Sequence, residues 1–311
     1  MIKIFSWVTK DTNINFMKSK NITYAVSAIL LALSIACIAI KGFNFGIDFS
    51  GGILMEIKSP KVIDVDEIRT SLNKLAIDDL NLQSMGEDGT EIVIRAQAAD
   101  LDEKAQMNVI NQIKETLGKT YEYRRIDLVG PQVGGELKKD GIIASIIAVI
   151  AITLYVWFRF EWQFALGAII GLIHDLVITS GLLSFFGLDF SLTTVAAILT
   201  LAGYSVNDTV VTYDRIRENL RKFKKMDQTD LLNKSINDIL SRTFLTGLTT
   251  MFAALALLIW GGETLRSFAF TIFWGVIVGT YSSIYVSTTF LSLFDLRATQ
   301  DEANINPFGN A

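Results

Sequence analysis

The chain has 311 residues, 28 of them Lys or Arg against 32 Asp or Glu, which leaves a formal charge of −4 on a composition that is 50% hydrophobic. That charge argues against a nucleic-acid-binding surface. A single cysteine, Cys37, and a single histidine, His174, exclude an internal disulfide framework, a cysteine-built zinc site and a His-built metal centre.

Residues 1–20 carry Lys3, Lys10, Lys18 and Lys20 against one acid. Residues 21–40 follow without a charge, about 30 Å as a helix, enough to cross a bilayer's hydrocarbon. The leader is long and the apolar run exceeds a signal-peptide core, so a retained first span is expected. Five further apolar runs, at 141–158, 163–186, 190–212, 243–260 and 267–294, bring the predicted spans to six. Residues 213–242 read as a basic loop, with Arg215, Arg217, Arg221, Lys222, Lys224 and Lys225. The Lys/Arg bias places both that loop and residues 1–20 on the cytoplasmic side, together with the tail at 295–311.

Residues 41–140 fall on the opposite side, the periplasm in a bacterium, and are too patterned for a linker. Extended runs are expected at 43–49 and 53–58, then a helix capped by Asp64 with Glu67 three residues on. Strands at 79–85 and 90–96 flank the turn pair Asp88 and Gly89. Asp100 and Glu103 open a second helix in the same capping arrangement, and 121–129 is a last strand. After the leading run the order is βαββαβ, which predicts a small α+β ferredoxin-like domain.

Charges inside spans are costly and each needs a reason. Asp175 lies near mid-depth of the third span, with Gly167 and Gly171 on its face, where small residues admit a neighbouring helix. A relay function and a packing role with His174 both stand for it. Asp208 lies towards the cytoplasmic end of the fourth span, flanked by Asn207 and sharing its face with Tyr204, Ser205 and Thr212. Arg242 opens the fifth span, and Thr246, Thr249 and Thr250 continue its face, so Asp208 and Arg242 are expected at similar depth. An acid beside a permanent cation suits a proton relay, while snorkelling at the interface explains the arginine equally well. In the sixth span Gly275 and Gly279, followed by Ser282 and Ser283, read as close helix packing. No Walker motif, dinucleotide fingerprint or serine elbow is present, so no ATP- or cofactor-dependent chemistry is expected.

Several strings resemble a known family. Residues 45–52 read FGIDFSGG, 129–137 VGPQVGGEL, 174–175 HD, 203–219 GYSVNDTVVTYDRIREN, 241–250 SRTFLTGLTT and 279–284 GTYSSI. Together they resemble SecF, the bacterial protein-export membrane proteins. The resemblance implies half of a resistance-nodulation-division-like transporter, without enzymatic activity. Such a chain pairs with a separate SecD chain beside the SecYEG channel in the inner membrane and helps unfolded preproteins outward on the proton gradient, with no cofactor. It also implies that Asp208 and Arg242 lie in the proton pathway, with a weaker carry-over to Asp175. By the same resemblance Gly46, Asp48, Gly51 and Gly52 mark the entry to the extracytoplasmic domain, and Gly130, Pro131 and Gly134 its return. These backbone-permissive segments suit either a hinge or a fixed tight turn. Two other classes were weighed: half of a small-molecule efflux exporter, which needs a roomy apolar pocket in the domain, and an intramembrane aspartyl protease, whose GxGD pattern is missing.

Overall fold

The computed structural model describes residues 12–75, 77, 80–85, 88–96 and 103–297. The elements run α1 (Lys20–Lys41), β1 (Asn44–Phe45), α2 (Ile47–Ser50), β2 (Gly52–Lys58), α3 (Val65–Leu72), β3 (Leu80–Met85) and β4 (Glu91–Ala96). They continue with α4 (Glu103–Leu117), β5 (Glu122–Val129), α5 (Pro131–Arg159), α6 (Trp162–Phe186), β6 (Asp189–Phe190) and α7 (Leu192–Lys222). Last come α8 (Gln228–Trp260), α9 (Gly262–Ser282), a π-helical segment (Ser283–Ser287) and α10 (Thr288–Leu291). The chain divides into two compact units, one of residues 44–144 with 189–192, the other holding the remainder.

In the first unit, Ile53, Met55 and Ile57 alternate inward along β2 and are fully buried, the period of two that a half-buried strand demands. With Ile92 and Ile94 of β4 they meet Ile68 and Leu72 of α3 and Ile110 and Ile113 of α4 in one core. The sheet order is β3-β4-β2-β5, antiparallel throughout, which is the ferredoxin-like arrangement of a βαββαβ chain. Asp64 caps α3 by accepting from the amides of Asp66 (3.0 Å) and Glu67 (3.2 Å). Gly89 turns the β3–β4 hairpin at φ +60°. The expected cap at Asp100 lies outside the described residues.

The extended run expected at 43–49 is only two residues of strand. Ser50 returns its amide and its hydroxyl to the carbonyl of Gly46, so residues 47–50 close a helical turn instead. Gly51 (φ +71°) and Gly52 (φ +119°) then redirect the chain into β2 through backbone angles that a side chain disfavours.

In the second unit, six helices among the described residues are long and apolar enough to cross a membrane: Met17–Lys41, Gln132–Arg159, Trp162–Phe186, Leu192–Lys222, Gln228–Trp260 and Thr264–Leu291. The third and sixth are more than half buried and form the centre, while the first and second have few buried residues. The expected loop at 213–242 is corrected. Helix α7 runs on to Lys222 and α8 begins at Gln228, so only 223–227 is non-helical. The reason is amphipathicity. Ile216, Leu220, Leu231, Leu232, Ile236 and Ile239 turn inward, and Arg215 pairs with Glu218 and Asp238 on the other face. The helix that carries the expected second span at 141–158 starts ahead of it, at Pro131.

Segments flanking the spans are held in place. Asn237 and Asn233 of α8 bond the backbone of Ile14 and Met17, and Phe16 and Met17 are buried. Gln228 donates to the carbonyls of Leu291 and Phe294, and Arg297 to those of Phe223 and Met226.

Candidate functional site

Two carboxylates are buried among the central helices, and hydroxyl groups converge on them. Asp175 of α6 is inaccessible to solvent. Its Oδ2 accepts from Ser205 of α7 (2.5 Å) and Ser282 of α9 (2.7 Å), and its Oδ1 lies 2.9 Å from Nδ1 of His174. The His174 ring stacks on Tyr281, with centroids 6.0 Å apart, and its Nε2 is buried without a hydrogen-bond partner. Asp208 of α7 is also buried. Thr243 of α8 donates to its Oδ1 (2.9 Å) and Ser283 to its Oδ2 (2.5 Å). The hydroxyl of Thr212 returns to the Asp208 carbonyl at 3.1 Å.

The expected neighbour of Asp208 is therefore displaced by one residue. Thr243 faces the carboxylate, whereas Arg242 is exposed and acts on it through its charge without an ion pair. One residue is 100° of helix rotation, so adjacent side chains serve different faces. The polar residues expected around Asp208 are redistributed for the same reason. Ser205 serves Asp175, and the Tyr204 hydroxyl lies with that of Thr280 against Gly247. Asn207 is exposed, in a depression lined by Ala151, Ile152 and Tyr155 of α5. Thr249 and Thr250 return their hydroxyls to the Thr246 carbonyl within α8.

Small residues make the convergence possible. A Cβ on Gly171 would fall 2.1 Å from Oγ of Ser287, and one on Gly167 would fall 2.4 Å from the Tyr213 hydroxyl. Gly275 is closed on by Leu201, and Gly279 faces Ser205 and the Asp175 carboxylate. All four small residues read from the sequence thus lie at close helix contacts. The sequence reading missed Thr243, Ser282 and Ser283 as ligands of the carboxylates. The adjacent serines in GTYSSI, in a span that needs no polar pair, are the signal that could have found them.

In the other unit the two glycine-rich strings meet. A Cβ on Gly134 would lie 3.0 Å from the Gly51 amide nitrogen, so these backbones touch. The Gly46 amide bonds the Phe190 carbonyl (3.0 Å), and Oδ2 of Asp48 accepts from the Leu192 amide (2.9 Å). Asp189 is held by Arg95 and Asn44. Gly130 precedes α5, and Pro131 and Gly134 stand in its first turns, a helix where the sequence suggested either a hinge or a fixed tight turn.

Comparison with known proteins bears on the family of the chain. The family model for the C-terminal part of the protein export membrane protein SecD/SecF matches residues 109–297, and that for the SecD/SecF GG motif matches residues 38–59. The protein translocase subunit SecF of Rickettsia rickettsii is 46% identical over 284 residues, covering 90% of this chain and 91% of that protein. The same subunit from Rickettsia prowazekii is 44% identical over 295 residues, 94% of each. Among solved structures, SecDF of Thermus thermophilus, described as a translocon-associated membrane protein, superposes with a TM-score of 0.82 at 35% identity over 91% of this chain. SecDF in a super-membrane-facing form gives 0.67 at 34% identity over 95%. This chain spans 39% and 40% of those two longer chains. With six apolar spans, a ferredoxin-like unit entered through a glycine pair and relatives this similar over nine tenths of its length, the chain belongs to the SecF family of multi-pass protein-export membrane proteins.

Proposed function

We propose that the chain is a non-enzymatic accessory subunit of the Sec preprotein translocase, pairing with SecD beside SecYEG and drawing on the proton-motive force to move unfolded preproteins outward. The observation that carries the proton coupling is the pair of buried carboxylates in apolar spans, neutral hydroxyls being the donors to Asp208. A buried carboxylate with no ion-paired cation is a group that can exchange protons with the two sides of a membrane. Asp208 is the principal relay, Arg242 supplies a nearby positive charge open to the partner's spans, and Asp175 assists. In this reading both termini are cytoplasmic, residues 41–140 are periplasmic, and no cofactor is needed. The Gly46–Gly52 and Gly130–Gly134 segments carry motion between the spans and that domain.

The test is export of a secreted reporter into inverted membrane vesicles holding equal amounts of the SecD complex. Asp208→Asn is expected to remove the proton-gradient-dependent part and leave the part that runs without a gradient, and Arg242→Ala to reduce the former. Gradient-dependent export at the wild-type level in Asp208→Asn would overturn the relay.

A further inference from the structure

Ser282 and Ser283 stand at the junction where α9 becomes the π-helical segment. They are consecutive, both fully buried, and about 100° apart around the helix, so they face different neighbours. Ser282 reaches Asp175 and Ser283 reaches Asp208. Each has a second acceptor on its own helix: the Gly279 carbonyl lies 3.1 Å from the Ser282 hydroxyl, and the Thr280 carbonyl 3.1 Å from that of Ser283. A serine carries one hydroxyl hydrogen, so it serves one of its two acceptors at a time.

We propose that Ser282 and Ser283 are positioning residues forming a paired hydroxyl switch, which makes Asp175 a second proton-holding group ganged to Asp208. The inference rests on Asp208 taking up a proton, as proposed above, and adds what that proton does. With a carboxylate ionised, the serine O–H donates to its Oδ2. When a proton arrives on that oxygen, the new carboxyl O–H donates to the serine Oγ, and the serine hydrogen turns to the carbonyl three residues back. The serine neither gains nor loses a hydrogen, and the net change is the single proton on the carboxyl group. Asp175 works by the same exchange, with Ser205 its other donor on Oδ2 and His174 holding Oδ1.

Because the two serines share one helical turn, both exchanges act on the last carbonyls of α9. A π-helical insertion there is a place where backbone bonding can rearrange at low cost. Titratable or charged groups facing the pair are His174 on α6, Tyr204 on α7, Arg242 on α8 and, stacked on His174, Tyr281 on α9.

The experiment uses the chain in complex with SecD in vesicles. It reads the pH profile of gradient-driven export of a preprotein reporter and, on the same samples, the infrared carbonyl stretch of protonated carboxyl groups. Ser283→Ala removes a donor to an ionised group, so the midpoint of the profile is expected to move to higher pH by roughly one to two units. Ser282→Ala is expected to move the midpoint in the same direction and to shift the carboxyl band that Asp175→Asn abolishes. Ser283→Thr and Ser282→Thr, which keep the hydroxyl, are expected to restore the wild-type midpoint and band. A wild-type midpoint in both alanine variants, threonine variants that behave like alanine, or an Asp175→Asn complex with no carboxyl band missing would each overturn the switch. Asp208→Asn, run alongside, separates the two readings. If it abolishes gradient-driven export while the serine variants are inert, the switch falls and the relay stands.

Discussion

Asp208 shows how a carboxyl group is held among apolar helices by hydroxyl donors. Thr243 and Ser283 each give it one hydrogen bond, and Arg242, next in sequence to Thr243, is exposed and forms no ion pair with it. Thr243→Val keeps the shape of the side chain and removes the donor, leaving Oδ1 without that hydrogen bond. A lost bond to a charged group is worth about 1.5–3 kcal/mol. The midpoint of the pH profile of gradient-driven export should therefore move to higher pH by roughly one to two units at unchanged protein level, because about 1.4 kcal/mol between the two protonation states is one unit. An unchanged midpoint in the vesicle assay would show that the Thr243 hydroxyl is dispensable. Packing around the site makes its own demand. Gly171→Ala puts a methyl group into the space of the Ser287 hydroxyl and should destabilise the bundle by about 1–3 kcal/mol. Gly203→Ala, with nothing within 4 Å of its Cβ, should be neutral or stabilising by up to about 1 kcal/mol. Thermal unfolding of the two variants in detergent compares them directly.

At the scale of whole helices, the sequence showed the ferredoxin-like unit more fully than the membrane site, for physical reasons. A strand such as β2 declares itself by a short apolar run that passes into alternation, Met55 and Ile57 against Glu56 and Lys58, and Asp64 marks the start of α3 by a local hydrogen-bond pattern. Which residue of α8 meets Asp208 depends instead on how two helices are rotated about their axes, and composition does not record that. Charge density also misled the reading at 213–242, because Arg215 of α7 pairs with Asp238 of α8 and Lys234 with Asp238 within α8, in helices that a count of charges alone takes for a loop. The turn that joins those helices carries a pH-dependent cap. Asp227 accepts from the Thr229 amide at 2.9 Å, and that bond, with the Thr229 hydroxyl, holds its carboxyl below the usual carboxylate range. A lowered folded-state pKa means that the cap's contribution is complete above the unfolded value of about 3.9 and fades as pH falls through the folded one. Amides in the first turn of α8 should thus lose protection below about pH 4, where the free aspartate titrates. Asp227→Asn, which caps without a charge, should show no such loss, as hydrogen exchange corrected for intrinsic rates would report.

For the molecule as a whole, the question is which end of the long helices faces the cytoplasm, and the charge distribution argues it. Helices α7 and α8 hold 31 and 33 residues, about 46 and 50 Å at 1.5 Å per residue, against about 30 Å of hydrocarbon. The excess is the charged end, where Arg221, Lys222, Lys224 and Lys225 are exposed around the 223–227 turn. The same end is bound to both chain-terminal segments, residues 14–17 through Asn233 and Asn237, and residues 291–297 through Gln228 and Arg297. The turn and the flanking segments therefore lie at one end of the bundle, and the positive-inside rule supports the proposed cytoplasmic side for that end. With Cys37 replaced by alanine, a single cysteine at exposed Lys224 should react with a membrane-impermeant maleimide only after the cells are opened. One at exposed Val62, in the ferredoxin-like unit, should react in intact spheroplasts. The reverse labelling pattern would invert the orientation, and with it the direction in which a proton crossing at Asp208 would have to travel to drive export.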